Sequence, residues 1–192
     1  MCSRYELNAD ARELGARFRL TVPPPPNRAE VHPTDPALVI GPDGGRLARW
    51  GLEAAWSKRP LINARAESLA ERDAFRRLLT ARVLIPATLW WEWRVAADGR
   101  GRTKMRLRPA GDGAFAFAGL LDGERFTMIT RAAQASIADV HERMPALLRP
   151  ADEALWLDPT RPFAEAAAAL APPDAVIEAV PEAPSAQGDL FG

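Results

Sequence analysis

Six segments of five to seven residues, each fenced by glycine, aspartate or proline, constrain this chain more than any other feature. Residues 46–50, 82–86, 89–95, 103–108, 114–120 and 125–130 read as strands. Asp98-Gly99, Gly111-Asp112-Gly113 and Asp122-Gly123 stand where antiparallel hairpins would turn. Helical signals are fewer. Ser68 is placed to cap a helix that buries Ala70, Ala74, Phe75, Leu78 and Leu79, with Glu71 in capping-box position. A second helix is expected over 150–157. The expectation is an α+β fold, one compact domain around a curled, partly barrel-like antiparallel sheet with a few helices.

The 192 residues suffice for one well-packed domain with a tail. Composition turns to Ala, Pro and acid near Arg161, which suggests a domain over 1–161 and a segment over 162–192. That segment should hold a short helix over 162–171 and, past Pro172-Pro173, a flexible tail. Four prolines at 23–26 mark an extended loop. No run of eighteen apolar residues and no basic–apolar leader is present, so a soluble, cytoplasmic protein without membrane contact is expected. The single cysteine, Cys2, excludes an internal disulfide. With only His32 and His141 beside it, no structural metal is expected.

The formal charge is zero, which masks a strong asymmetry. Residues 1–65 carry ten Lys/Arg against seven Asp/Glu, 66–110 ten against five, and 111–192 five against thirteen. The front of the molecule is basic, as an anionic partner requires. Arg100, Arg102, Lys104, Arg106 and Arg108 recur at strict period two. On one strand they would form a basic stripe roughly 25 Å long, suited to a sugar–phosphate backbone. The same pattern also serves to keep a sheet edge from pairing with another chain.

Four places carry chemistry. Removal of Met1 would leave Cys2 with a free α-amine and a thiol on one carbon skeleton. Such a pair condenses with an aldehyde and closes to a thiazolidine; equally, a lone cysteine serves as a small apolar filler. In Leu89-Trp90-Trp91-Glu92-Trp93-Arg94, alternation puts Trp91 and Trp93 on one face and Trp90, Glu92 and Arg94 on the other. Glu92 is therefore either a carboxyl raised by burial among indoles or a surface partner of Arg94. Asn63-Ala64-Arg65 offers an amide to orient a reacting group and a cation for phosphate, or ordinary loop chemistry. His141 precedes Pro145 and is either structural or catalytic.

Taken in order, these pieces resemble the SOS-response-associated peptidase (SRAP) family of abasic-site shield proteins. The matching stretches are Met1-Cys2-Ser3-Arg4-Tyr5, Trp50-Gly51-Leu52, Asn63-Ala64-Arg65-Ala66-Glu67, Arg82-Val83-Leu84-Ile85-Pro86-Ala87, Trp91-Glu92-Trp93, Phe126-Thr127-Met128-Ile129-Thr130 and His141-Glu142-Arg143-Met144-Pro145. The resemblance implies covalent capture of abasic sites in single-stranded DNA without a cofactor. Cys2 would be the nucleophile, and Asn63, Glu92 and His141 would complete the catalytic group. Arg4, Trp56, Arg65 and Thr130 fall where the family holds DNA, and Arg100, Arg102 and Lys104 extend that face. Three departures stand out: Glu30 occupies the place of the family's usual asparagine, the proline common after the Trp-Gly pair is replaced near Ala54, and the aromatic pair expected near Trp56 is Trp56-Ser57.

A thiol peptidase using Cys2 with His141 as base is the alternative, and a non-catalytic single-strand binder is a third. The ending Gln187-Gly188-Asp189-Leu190-Phe191 looks like a peptide that docks on the bacterial sliding clamp through Gln187, Leu190 and Phe191. Nothing in the sequence suggests more than a monomer.

Overall fold

Strands dominate, and their pairing makes two sheets and a hairpin. The computed structural model describes residues 2–19 and 28–183. In chain order its elements are β1 (Tyr5–Leu7), α1 (Ala11–Phe18), β2 (Arg28–Val31), β3 (Pro36–Gly41), β4 (Gly44–Trp50), β5 (Leu52–Ala54), β6 (Ser57–Leu61), β7 (Asn63–Arg65), α2 (Asp73–Arg76), β8 (Arg82–Ala87), β9 (Leu89–Val95), β10 (Arg102–Pro109), β11 (Phe115–Asp122), β12 (Arg125–Ala132), β13 (Arg143–Pro145), β14 (Leu147–Leu148), α3 (Glu153–Leu157), α4 (Phe163–Ala166) and β15 (Ile177–Pro181).

Five strands close into a ring: β12 pairs with β4, β4 with β3, β3 with β8, β8 with β11, and β11 again with β12. The fold is α+β and sheet-dominated, as expected, but the ring is not antiparallel throughout. The β4–β12 join is parallel, with Trp50 opposite Phe126, and β7 also runs parallel to β12. A second, antiparallel sheet has the order β15-β10-β9-β1-β2.

Period two sorts the side chains between two cores. Val83, Ile85 and Ala87 of β8 face one cluster with Trp50, Phe117, Phe126 and Met128 of the ring. Tyr5, Trp90, Met105, Leu107 and Ile177 reach the same cluster from the second sheet, and so does Cys2. Tyr5 packs edge-on against Trp50, centroids 5.3 Å apart. Leu84 turns the other way, into a cluster that Phe75, Trp156 and Ala166 of α2, α3 and α4 cover. Each large apolar side chain so buried contributes about 1.5–3 kcal/mol. Gly51, between β4 and β5, has a φ of +117°, and a Cβ there would lie 2.7 Å from Pro60. Only glycine fits that turn.

Four local features differ from the sequence reading. Residues 177–181, read as part of a flexible tail, form β15, which pairs with β10 from Met105 opposite Pro181 to Pro109 opposite Ile177. The edge of β10 needs a hydrogen-bonding partner, and Ile177 is buried in supplying one. The helix expected from Ser68 is a single 3-10 turn, Ala66–Ser68, followed by the four-residue α2. The Ser68 carbonyl, not its hydroxyl, accepts from the Glu71 and Arg72 amides. Gly111-Asp112-Gly113 joins strands of different sheets rather than turning a hairpin, because β10 pairs with β9 and β15 while β11 pairs with β8, β12 and β14. Finally, α1 was not assigned from sequence. It is set by a capping box in which Asp10 accepts from the Glu13 amide and Glu13 from the Asp10 amide.

Candidate active site and nucleic-acid face

Strand β9 lies between β1 and β10, with Trp90 opposite Tyr5 and Glu92 opposite Met105. Its inward face therefore carries Trp90 and Glu92. The chain ahead of β1 runs back along β9, where the Trp91 amide donates to the Arg4 carbonyl at 3.1 Å. Cys2 is thereby carried into the core and is fully buried. Its Sγ donates to the Arg4 carbonyl at 3.5 Å, and its own carbonyl accepts from Asn63 Nδ2 at 2.7 Å. Asn63 reaches it from β7, held in place by the parallel pairing with β12.

Burial also sets the electrostatics. Glu92 is only 3% exposed, and desolvation pushes its carboxyl up to about 7 against the pull of the chain's terminal ammonium. Burial, and then the charge of Glu92, drives the Cys2 thiol well above its ordinary value. Burial, and then the terminal ammonium, holds the His141 imidazole below its ordinary value. That ammonium, which belongs to Met1 until Met1 is removed, acts on Cys2, Glu92 and His141 alike. Burial alone suits a cysteine used as filler; the Asn63 carboxamide on its carbonyl and the Glu92 carboxyl that acts on its thiol are polar groups a filler does not need.

His141 follows a 3-10 turn, Ala135–Ile137, and its ring Nδ1 accepts from the Arg143 amide at 2.9 Å. A neutral ring so held carries its proton on Nε2. Arg143 is itself clamped, donating to both Glu67 oxygens at 2.9 Å and to the Thr130 carbonyl at 2.7 Å. The sequence reading passed over Arg143 and Glu67, although both lie inside stretches it singled out. Their signal was a cation and a carboxylate flanking candidate catalytic residues.

The residues expected to face DNA differ in exposure. Trp56, at the β5–β6 turn, is 73% exposed, and Arg65 is exposed at the end of β7. Thr130, by contrast, is fully buried; its hydroxyl donates to the Ala64 carbonyl at 3.5 Å and accepts from Arg143 at 3.3 Å. It presents nothing to a strand outside, because the inward pleat of β12 takes it. Arg100 lies in the turn before β10, not on it, while Arg102 is exposed on its first residue. The basic stripe is met by carboxylates: Lys104 by Glu30 at 2.9 Å, Arg106 by Glu182 at 3.7 Å, and Arg108 by Asp112 at 3.5 Å. Arg4 also pairs with Glu30, at 3.1 Å. Glu182 further accepts from Trp91 Nε1 at 2.6 Å, a contact hidden from the sequence reading because the residue sat in the supposed tail. Gln187, Leu190 and Phe191 lie outside the described residues. Among the described residues no group of three or more His, Cys, Asp or Glu is placed to hold a metal, and no helix is long and apolar enough to cross a membrane.

Fold and site together define a small α+β protein whose first described residues run into its own core. The chain belongs to the SOS response associated peptidase (SRAP) family, whose profile matches residues 1–183. It is 33% identical over 183 residues to the abasic site processing protein YoqW of Bacillus subtilis, covering 83% of this chain and 81% of that one. It is 29% identical over 147 residues to the abasic site processing protein YedK of Escherichia coli, covering 70% and 66%. The fold matches solved proteins of Bordetella bronchiseptica (TM-score 0.81, 23% identity, 95% and 100% covered) and Bacteroides thetaiotaomicron (0.80, 23%, 94% and 91%).

Proposed function

We propose that this protein processes abasic sites in single-stranded DNA, and does so by covalent capture on Cys2 after Met1 is removed. The opened deoxyribose presents an aldehyde. The neutral Cys2 α-amine adds to its carbon, water leaves to give an imine, and the thiol then adds to the imine carbon as its proton passes to nitrogen. The product is a thiazolidine that joins chain and DNA. The convergence of Cys2, Glu92 and Asn63 is the observation that carries this reading. A carboxyl near 7 both gives and takes a proton at neutral pH, as opening of the sugar and loss of water require. Asn63 holds the Cys2 carbonyl and so fixes the direction of the amine. His141, protonated at Nε2, donates to the oxygen that departs. Arg65, Arg100, Arg102 and Trp56 are exposed and would hold the strand, the arginines at phosphates and Trp56 by stacking on a base.

A raised thiol favours this order of events over a thiol peptidase. A peptidase needs a thiolate to attack first, whereas here the amine leads and the thiol only closes the ring. Intact mass of the purified protein, alone and after mixing with an abasic oligonucleotide, tests the proposal. A stable adduct is expected, lost in Cys2→Ala and lost again when one residue is fused ahead of Cys2. An adduct that survives the fusion would overturn ring closure. Docking of Gln187, Leu190 and Phe191 on the sliding clamp is a further part of the proposal. A pull-down with the clamp, weakened by deletion of residues 187–192, is the expected result.

A further inference from the structure

On the outward face of the second sheet, two cations and an imidazole from three separate segments converge on one carboxylate. Arg4, just ahead of β1, reaches Glu30 Oε2 at 3.1 Å. Lys104 of β10 reaches Oε1 at 2.9 Å, and His32, just past β2, brings Nε2 to 3.2 Å from Oε2. Each cation side is built to stay. Lys104 Nζ rides 4.5 Å over the Trp91 ring, and the Arg4 guanidinium lies 5.4 Å from the centre of the Trp93 ring. His32 is anchored by its amide, which donates to Asp35 at 3.1 Å.

Three donors fixed independently around one pair of oxygens make an anion site, and Glu30 fills it with an anion of the protein's own. The site's position matters as much as its make-up. Arg4 lies two residues from Cys2, a span of roughly 7 Å in extended chain and the scale of one nucleotide. The same Arg4 presents its carbonyl to the Cys2 thiol.

We propose that Glu30 occupies a phosphate subsite of the DNA path, holding Arg4, Lys104 and His32 together until a backbone phosphate of the single strand displaces its carboxylate. This rests on the reading that single-stranded DNA reaches Cys2. The aromatic rings keep Arg4 and Lys104 in place during the exchange, so no cation has to be reassembled. Binding then swaps one anion for another. Affinity and its salt dependence are both lower than the number of cations on this face would give.

The test compares the full chain with Glu30→Gln for reversible binding to a short, undamaged oligothymidylate, by fluorescence anisotropy across a salt series. Glu30→Gln should bind about fivefold more tightly at low salt. Its slope of log affinity against log salt should steepen by about 0.7, one extra phosphate neutralised. Lys104→Met in the Glu30→Gln background should erase the gain. Asp73→Asn removes an equal charge from the exposed start of α2 and should change affinity much less. Unchanged or weaker binding by a folded Glu30→Gln protein overturns the subsite, as does an equal gain from Asp73→Asn. Adduct formation is scored separately by mass. Wild type that forms adducts while Glu30→Gln gains nothing refutes the subsite alone. A gain in binding without any adduct supports the subsite and refutes covalent capture. Absence of any DNA binding by either protein refutes both.

Discussion

The two faces of strand β9 handle charge in opposite ways. Inward, Glu92 is sealed from water beside Trp90, and its protonation is governed by burial. Outward, Trp91 and Trp93 underlie Lys104 and Arg4, and charge there is governed by pairing with Glu30 and Glu182. Partial burial pushes Glu30 up, yet the Lys104 hydrogen bond and the charges of Lys104, Arg4 and His32 hold it below the usual carboxylate range. One strand thus supplies a carboxyl near neutrality on one side and a platform for paired ions on the other. Desolvation tunes reactivity; ion pairing tunes attraction. Side chains one residue apart on the strand do both without interfering, because the pleat separates them.

Glu92→Gln probes the inward face most severely. The amine must be neutral, with an unperturbed value of about 7.7–8.0, and Glu92 must be protonated, so adduct formation should peak between the two values. Glu92→Gln should lower the maximum rate by ~10²-fold and abolish the alkaline fall, read by quench-flow and gel. Stability should move the other way. The native carboxyl binds its proton more tightly than the unfolded one, so the stability it contributes at low pH is lost as pH rises through about 7. The variant should therefore be more stable than wild type at pH 8, by up to about 3 kcal/mol, with the gap closing toward pH 4. A pH-independent gap in denaturant melts would break the burial account.

Trp56→Ala sharpens the outward side. A base-stacking platform standing in water costs about 1–3 kcal/mol of single-strand affinity when removed, measured by anisotropy. Stability should change by less than ~0.5 kcal/mol. A comparable loss of stability would mean that the ring packs on the protein instead.

Tyr5→Phe has the smallest expected effect. The Tyr5 hydroxyl is buried and hydrogen-bonds to nothing among the described residues. Its removal should stabilise the fold by about 1 kcal/mol and leave adduct yield unchanged. A fall in yield would give the inward face another participant in the chemistry, since the charge of Cys2 already acts on Tyr5.

Much of the site was legible in the chain because its signals are local. Period two placed Glu92 opposite Trp91 and Trp93 on the pleat, and the structure keeps that division. Cys2 declared itself by position and singularity. The burial of Thr130 and the ion pairs of the basic stripe were not legible for the same reason: exposure and ion pairing depend on partners far along the chain. Lys104 meets Glu30 across 74 positions, and Arg143 meets Glu67 across 76. The tail was misjudged because Ile177 looks marginal alone and becomes a strand only against the open edge of β10.

The chain alone determined strands β4 and β8 to β12, the two-sided character of β9 and the reactive potential of its first residues, since backbone pleat and side-chain chemistry travel with each residue. Tertiary structure decided that five strands close on themselves, that residues 177–181 complete the second sheet, that water is kept from Glu92 and that Glu30 sits between Arg4, Lys104 and His32. Those outcomes are set by burial and by long-range pairing, which exist only once distant segments share a core.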